Sequence, residues 1–162
     1  MTVGVLSSIH LAPTAGARMV AVDSARAVGA RGLEGDRYFT SGPGPRPRFS
    51  GVGRASGSCD ITLIEAEALE ALALDTGVAL LPGEARRNLV CRGVRLGPLV
   101  GREFRVGAVT LRGIARSEPC LHLEQLTRPG VLRGLIHRGG LRAEIVTDGL
   151  IRVADPVSTA SG

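Results

Sequence analysis

Residues 103–114 read Glu-Phe-Arg-Val-Gly-Ala-Val-Thr-Leu-Arg-Gly-Ile, and this stretch decides the class of fold. Apolar and polar side chains alternate before and after the Gly-Ala pair, which is typical of strands with one buried face. The pattern predicts strands at 103–106 and 109–114, joined by a tight turn within 105–109. The segment is therefore predicted to be an antiparallel hairpin, and the rest of the chain follows the same design.

Short strands are also predicted for most of the remaining chain. A second turn is expected at 147–150, Thr-Asp-Gly-Leu, and would make another hairpin. The strands do not alternate regularly with helices, which disfavours a doubly wound sheet. We therefore predict a mainly β fold, a closed or half-closed β-barrel with a few short helices. The further strands are expected at 3–9, 19–22, 60–64, 88–91, 143–147 and 150–153.

One helix is predicted at 65–74, where Ala, Glu and Leu dominate the sequence. Thr62 and Glu65 have the spacing of a capping box, and Gly77 is a plausible stop signal. Residues 121–138 are expected to hold one or two short helices, interrupted at Pro129-Gly130. We thus predict that only a few helices accompany the strands.

The 162 residues fit a single domain, which we assign to 1–155. Residues 40–58 are rich in Gly, Pro, Ser and Arg, and predict a long surface loop. The tail at 156–162 is small and polar, and is expected to fray. Neither a signal peptide nor an apolar run long enough to span a membrane is visible, so we predict a cytoplasmic protein.

All twenty basic residues are arginine, and the formal net charge is +5. Without lysine, the protein cannot form a lysine Schiff base, which excludes imine chemistry of that kind. The planar guanidinium group suits phosphates and other oxyanions. Nucleic acid is not a favoured partner, because the charge is scattered and stacking aromatic residues are nearly absent.

Cys120 is the strongest candidate for a reactive residue. It lies in Ala115-Arg-Ser-Glu-Pro-Cys-Leu-His122, after a predicted strand and close to Arg116 and His122. Nearby cationic groups favour the thiolate, which is the nucleophilic and metal-binding form of cysteine. The alternative is that Cys120 is a small buried residue of the core, as many unpaired cysteines are. Cys91 alternates within an apolar strand and is assigned to the core, whereas the role of Cys59 is open.

Arg86, Arg87 and Asn88 form a second candidate site at the start of a predicted strand. Two guanidinium groups and an amide are suited to hold a phosphate or the polar edge of a ring. The alternative is an edge strand protected by charge against pairing with another chain. The residues alone leave both interpretations open.

A third candidate is the glycine-rich turn Gly32-Leu-Glu-Gly-Asp-Arg37. Backbone N–H groups around Gly35, Asp36 and Arg37 are candidates to form a small concave anion site. The turn lacks the spacing of a dinucleotide-binding loop, and the chain has no lysine for a phosphate-binding loop. The three cysteines are also too widely spaced for a structural zinc site.

Six segments follow one another along the chain: Gly32-Leu-Glu-Gly-Asp-Arg37, Ile61-Thr-Leu-Ile-Glu-Ala-Glu-Ala68, Gly83-Glu-Ala-Arg-Arg-Asn-Leu89, Leu99-Val-Gly-Arg-Glu-Phe-Arg-Val-Gly107, Glu118-Pro-Cys120 and His137-Arg-Gly-Gly-Leu-Arg142. Together and in this order they resemble the MOSC domain, the C-terminal domain of molybdenum cofactor sulfurases. The resemblance implies a mostly β, barrel-like fold, with Cys120 as the ligand of a pterin-bound molybdenum. It also implies that Arg86, Arg87 and Asn88 lie along the cofactor, and that Asp60 occupies a position where some relatives have an acidic residue. Arg116, Gly35, Asp36 and Arg37 complete the predicted cofactor-binding set.

The resemblance implies a molybdenum-dependent oxidoreductase that reduces small N-hydroxylated substrates with electrons from an external donor. An alternative is a sulfur carrier, in which Cys120 accepts a persulfide from a cysteine desulfurase for cofactor or metal–sulfur assembly. A second alternative is a basic, non-enzymatic module that binds nucleic acid or a protein. The first two depend on Cys120, whereas the third depends only on charge.

Overall fold

In the computed structural model, which describes residues 2–14, 16–37, 39 and 60–159, seven strands close into a β-barrel. Neighbouring strands are antiparallel, except for one parallel pair, β5 with β6. The predicted mainly β, barrel-like fold is therefore confirmed. Around the barrel the strands are β1 (Thr2–Leu11), β6 (Leu89–Arg92), β5 (Ile61–Glu65), β9 (Leu141–Ile145), β8 (Val109–Arg116), β7 (Glu103–Val106) and β11 (Pro156–Thr159), which pairs again with β1.

In the described part of the chain, four other strands lie outside the closed ring. Strand β2 (Val20–Val22) pairs with the end of β1, so that Ala21 lies opposite His10. Strands β3 (Ser24–Val28), β4 (Gly32–Leu33) and β10 (Gly149–Arg152) form a separate small sheet with β3 in the middle. The predicted hairpin at 105–109 is confirmed by the pairing of β7 with β8.

Helix α1 (Ala66–Thr76) connects the parallel strands β5 and β6, which need a crossover rather than a tight turn. Gly77 ends the helix as predicted: its φ of 74° is left-handed, and its N–H donates to the carbonyl of Ala73. The predicted capping box is wrong. Glu65 precedes the helix without a side-chain capping bond, and Thr62 belongs to β5.

Two short helices, α2 (Leu121–Leu126) and α3 (Val131–Gly134), flank Pro129-Gly130 as predicted. With α1 they cover part of the outside of the barrel. Their buried residues, which include Leu72, Leu123 and Val131, form an apolar cluster with Ile64 and Val90 of the barrel wall. None of the helices in the described part of the chain combines the length and apolar character needed to cross a membrane.

The interior of the barrel is a second, larger apolar cluster built from alternate residues of the strands. Leu63, Leu89 and Leu141 are fully buried there. Cys91 also lies in this cluster, so its assignment to the core is confirmed. The scarcity of aromatic residues is compensated by branched aliphatic side chains, which fill the barrel around the single buried Phe104 of the described residues.

Two predictions for the end of the chain are wrong. Residues 147–150 do not join a hairpin, because β8 and β5 already occupy both edges of β9; β10 pairs instead with β3. The tail also does not fray at residue 156: β11 fills the gap between β1 and β7, and Val157 is fully buried. The predicted loop at 40–58, Cys59 and residues 160–162 lie outside the described residues.

Candidate functional site

A polar cavity of about 70 Å³ lies against the outer face of β5 and β9 and against residues 86–88, which lead into β6; we call it the arginine cavity. Thr62 and Arg142 line it from β5 and β9, where they alternate with residues that point into the barrel. Four guanidinium groups and one carboxylate surround it, so its charge favours an anion. Its lining residues are Met19, Asp36, Arg37, Thr62, Arg86, Arg87, Asn88, Ser117 and Arg142.

Arg86 enters the cavity from a strained backbone position. It follows a single 3₁₀ turn, Pro82–Ala85, and its φ of 59° is in the left-handed region. For an L-residue this conformation costs on the order of 1 kcal/mol. Nη1 of Arg86 donates to the carbonyl of Ala17 at 2.7 Å, which fixes the side chain against the loop that precedes β2. Strain of this kind is common at functional sites.

Arg87 contacts the segment that carries the cysteine. We call residues 117–120 the cysteine segment. Nη2 of Arg87 donates to the carbonyl of Ser117 at 3.1 Å, and Nε donates to the carbonyl of Gly139 at 2.9 Å. One side chain therefore ties the start of β6 to the cysteine segment and to the turn that precedes β9. Arg87 therefore holds the cysteine segment in position, in addition to contributing its positive charge to the cavity.

The turn before β9 holds the cysteine segment at further points. The N–H of Ser117 donates to the carbonyl of Gly140 at 2.9 Å, and the N–H of His137 donates to Oε2 of Glu118 at 3.0 Å. Gly139 is packed so closely that an added Cβ would lie 2.8 Å from Cδ of Pro119. The backbone that leads to Cys120 is thus well defined.

Asn88 is buried, and both the oxygen and the nitrogen of its side-chain amide are hydrogen-bonded within the barrel wall. Its Oδ1 accepts hydrogen bonds from the N–H of Thr62 at 3.1 Å and from the Thr62 hydroxyl at 3.2 Å. Its Nδ2 donates to the carbonyl of His10 at 3.2 Å. Asn88 therefore joins β1, β5 and β6 behind the arginine cavity. Because β6 lies between β5 and β1, the alternative interpretation of this segment as a charged edge strand is wrong.

Asp36 and Arg37 reach the cavity through their side chains. Oδ1 of Asp36 accepts the N–H of Ala12 at 2.9 Å, and the N–H of Arg37 donates to the carbonyl of Ala12 at 2.7 Å. The N–H of Asp36 donates to the carbonyl of Leu33. These two N–H groups are used by the protein, so the predicted backbone anion site is wrong, although both side chains line the cavity.

Gly35, Asp60 and Arg116 are not among the residues that line the arginine cavity. Asp60 is buried, and its Oδ2 accepts the N–H of Ile145 at 2.9 Å and that of Ala30 at 3.3 Å. It therefore joins the small sheet to β9. Arg116 is exposed at the end of β8, with its guanidinium group beside Gly97.

Cys120 is exposed at the residue that precedes α2, and its carbonyl accepts the N–H of Glu124. The alternative of a buried core cysteine is therefore wrong for Cys120, although it holds for Cys91. Burial raises the pKa of the Cys91 thiol to about 12. Cys120 does not line the arginine cavity itself; Ser117, at the other end of the cysteine segment, does.

Sequence reasoning missed four of the cavity residues: Met19, Thr62, Ser117 and Arg142. Arg142 has a detectable signal, because it lies between two strongly apolar strand positions, Leu141 and Ala143, and must point away from the barrel interior. The same signal applies to Thr62. Alternation identifies an outward side chain, but it does not show which outward side chains meet.

A larger cleft of about 730 Å³ adjoins the arginine cavity, and Met19 and Arg86 line both. It lies between the end of β1, the loop before β2, the 3₁₀ turn and the end of α2. Its wall combines apolar side chains with three guanidinium groups. The lining residues are His10, Gly16, Arg18, Met19, Ala21, Leu81, Pro82, Gly83, Glu84, Arg86, Leu126, Thr127 and Arg128.

The fold is similar to several solved structures. The YuaD protein from Bacillus subtilis aligns over 96% of this chain and 94% of its own, with a TM-score of 0.78 and 18% identity. YiiM from Escherichia coli aligns over 99% and 69%, with a TM-score of 0.64 and 17% identity. YiiM from Geobacillus stearothermophilus aligns over 98% and 75%, with a TM-score of 0.61 and 15% identity. At these identities the likeness concerns the fold.

A comparison with curated protein sequences finds no match. The family model of the MOSC domain, in contrast, matches residues 46–158, which is more than half of the chain. The match includes the strands β5, β6 and β9, the three helices and the cysteine segment. The chain therefore belongs to the MOSC domain family, a family associated with binding of the molybdenum cofactor.

Proposed function

We propose that this protein binds a pterin-based molybdenum cofactor, with the thiolate of Cys120 as a metal ligand, and works as an oxidoreductase that reduces small N-hydroxylated compounds. One observation carries the proposal. An exposed thiol lies at the end of a segment whose other end, Ser117, lines an arginine-rich cavity. Family membership supports the choice of cofactor.

The donor set fits this cofactor. The arginine cavity matches a phosphate group in charge and in its small size, so the fit concerns the phosphate end of the cofactor. A thiolate is a suitable ligand for a soft metal centre. Among the described residues, no group of three or more His, Cys, Asp or Glu side chains is arranged to hold a metal ion. The metal would thus depend on Cys120 and on ligands that the cofactor itself brings.

The residues of the site have separate tasks in this proposal. Arg37, Arg86 and Arg142 hold the phosphate, while Arg87 holds the cysteine segment in place through the carbonyl of Ser117. Cys120 supplies the thiolate. When bound, the cofactor supplies oxygen-atom transfer coupled to a two-electron change, and the protein supplies orientation and electrostatics.

The overall reaction needs a partner. An N-hydroxylated amine, two electrons and two protons give the amine and water, so the nitrogen–oxygen bond is broken and the oxygen leaves as water. The electrons come from an external donor, which we propose to be a redox protein. The described residues show no flavin, haem or iron–sulfur binding motif, and the substrate is a small molecule in this proposal.

The decisive measurement is the molybdenum content per chain, determined by elemental mass spectrometry on protein from a host that makes the cofactor. We expect near-stoichiometric metal in the wild type and its loss in Cys120→Ala. Cys91→Ala is the matched control, because it removes a cysteine of the barrel interior. Metal retained by Cys120→Ala, or absent from the wild type in a cofactor-replete host, would contradict the proposal.

The exposure of Cys120 also favours a second candidate function, sulfur transfer. The Cys120 thiolate would take the terminal sulfur of a persulfide on a cysteine desulfurase, and the desulfurase would be left with its thiol. Mass spectrometry after incubation with a desulfurase and cysteine would then show one added sulfur on Cys120. A sulfur adduct in a protein without molybdenum would favour this function over the first, and no adduct would exclude it.

A further inference from the structure

We propose that the 730 Å³ cleft is the substrate site, and that it takes a small organic phosphate with a flat, largely apolar body, as in a nucleoside monophosphate. The assignment as a substrate site rests on the proposed function. The binding of such a ligand does not rest on the proposed function, because it depends only on the charge, size and walls of the cleft. The two parts can therefore be tested separately.

The charge of the cleft favours an oxyanion. Arg18, Arg86 and Arg128 line it together with one carboxylate, Glu84. Glu84 is already engaged: its Oε2 lies 3.1 Å from Nη2 of Arg128, and its Oε1 accepts the N–H of Leu81 at 2.9 Å. The lining thus carries more guanidinium groups than carboxylate groups, which gives it a surplus of positive charge. A concave site with such a surplus concentrates anions.

The walls of the cleft favour an organic ligand over a simple ion. Leu81, Pro82 and Leu126 line it with apolar surface, and Met19 adds an adaptable thioether that packs well against rings. A volume of about 730 Å³ is in the range of small-molecule sites, whereas an inorganic phosphate would fill little of it. The ligand is therefore expected to place its body on the apolar walls and its phosphate near Arg18.

The cleft is close to the proposed chemistry on two sides. Arg86 and Met19 form the wall that it shares with the arginine cavity. Leu126, at the end of α2, lines the cleft, and Cys120 immediately precedes the same six-residue helix. At 1.5 Å per residue that helix is only about 9 Å long. A ligand in the cleft would therefore lie about one short helix away from the cysteine.

Titration calorimetry on the full chain tests the proposal, with adenosine monophosphate, adenosine and inorganic phosphate as probes. We expect the monophosphate to bind more tightly than either of the other two. Ala21 provides a matched pair of variants, because it is exposed and lines the cleft. Ala21→Glu adds a negative charge and Ala21→Gln adds only bulk, so we expect about tenfold weaker binding in the former than in the latter.

Arg18→Gln should also weaken binding of the monophosphate about tenfold, as the loss of one charged hydrogen bond does. Arg133→Gln, which changes an exposed arginine that does not line the cleft, should leave it unchanged. Equal affinities in the two Ala21 variants, or inorganic phosphate binding as tightly as the monophosphate, would overturn the assignment. So would the absence of monophosphate binding at millimolar concentration.

Molybdenum content measured on the same samples separates this proposal from the proposed function. Protein that contains molybdenum but does not bind the monophosphate would overturn the cleft assignment alone. Protein that binds the monophosphate without ever acquiring molybdenum would overturn the proposed function and leave the anion site. If only the molybdenum-free form binds the monophosphate, the cofactor occupies the cleft and the substrate assignment is wrong.

Discussion

Strands β5 and β9 place alternate side chains on the inner and the outer face of the barrel, and neighbouring residues on them have different surroundings. Leu63 and Leu141 are fully buried inside the barrel. The adjacent residues, Thr62 and Arg142, line the arginine cavity outside it. The inner face supplies stability through burial, and the outer face supplies the charged groups of the candidate site. One wall thus serves both purposes because side chains alternate along a strand.

The two described cysteines show the same contrast. Cys91 lies on the inner face of β6, where burial raises the pKa of its thiol to about 12. Cys120 lies outside the barrel on a segment held by backbone hydrogen bonds, and it is exposed. Because the thiolate is the reactive form, the inner cysteine is inert and the outer one is available for chemistry. The first two predictions below test this division between the two faces, and the other three test individual contacts outside the barrel interior.

The largest expected effect concerns thiol labelling, studied in a Cys59→Ser background because residue 59 lies outside the described part of the chain. Cys120 should react with a maleimide in the folded protein, whereas Cys91 should react only after unfolding. A stable domain should then show rates that differ by at least about 10³-fold. Mass spectrometry of peptides checks this, with both cysteines labelled in denaturant as the control. Rapid labelling of Cys91 in the native protein would refute the division.

The next largest effect is expected from Leu63→Ala, which empties part of the fully buried barrel interior. Large-to-small changes at such positions lower the free energy of unfolding by about 2–5 kcal/mol. Urea denaturation followed by circular dichroism provides the measurement. Leu74→Ala is a suitable control, since Leu74 is exposed on α1 and should cost little. Similar losses in both variants would show that the interior cluster is not the main source of stability.

Asn88→Leu should lower the free energy of unfolding by about 1–3 kcal/mol, because buried polar groups lose their partners. The carbonyl of His10 and the N–H of Thr62 would be left behind in the barrel wall. Thr62→Val, which removes only the hydroxyl, should cost less. Denaturant unfolding of the two variants measures the difference. A loss in Thr62→Val as large as in Asn88→Leu would assign the network to the hydroxyl instead of the amide.

Arg87→Met should lower the free energy of unfolding by only about 1 kcal/mol, because two part-buried hydrogen bonds are lost. Its main effect should be local, because the cysteine segment loses the donor to Ser117 and the adjoining turn loses the donor to Gly139. Faster hydrogen exchange at the N–H of Ser117 checks this, and Arg133→Met is the control. Unchanged exchange at Ser117 would show that the turn before β9 holds the segment alone.

The smallest expected effect is the dependence of stability on pH through His10. Burial lowers the pKa of His10, so the folded state takes up a proton less readily than the unfolded state. Stability should therefore fall as the pH decreases through the unfolded value of about 6.5. Unfolding measured at about pH 7.5 and about pH 5.5 should show a larger loss in the wild type than in His10→Gln. The charged side chains that line the same cleft are those of Arg18, Glu84, Arg86 and Arg128. Equal losses of stability in the wild type and in His10→Gln would show that His10 does not cause the pH dependence.

Most of the strands and the main helix follow from local patterns of residues. Alternation around residues 105–109 is sufficient for a hairpin, and the Ala-Leu-Glu run with Gly77 is sufficient for α1. Such patterns fail where the partner is distant. Thr147-Asp-Gly-Leu150 has the composition of a hairpin turn. No hairpin forms there, because β9 already pairs with β8 on one side and β5 on the other.

The candidate site was predictable in its chemistry and not in its assembly. The adjacent Arg86, Arg87 and Asn88 suggest an anion site from their side chains alone. Their different tasks depend on long-range contacts. Arg87 contacts Ser117 in the cysteine segment, which is 30 residues away in the sequence. Asn88 contacts His10, which is 78 residues away. Nothing in the local sequence distinguishes these tasks, because each depends on which strand becomes the neighbour.

Residue order alone thus determines the alternation of inner and outer side chains, the absence of lysine chemistry, the membership of the MOSC family and the identity of the candidate cysteine. Barrel closure decides the rest. It turns the tail at Pro156 into a strand, and it brings Arg37, Arg86 and Arg142 around one cavity. The physical reason is that a closed sheet has no edge strands, so each strand of the ring has a hydrogen-bonded neighbour on both sides. The pairings that achieve this join residues far apart in the chain, and they are selected by the packing of the whole interior.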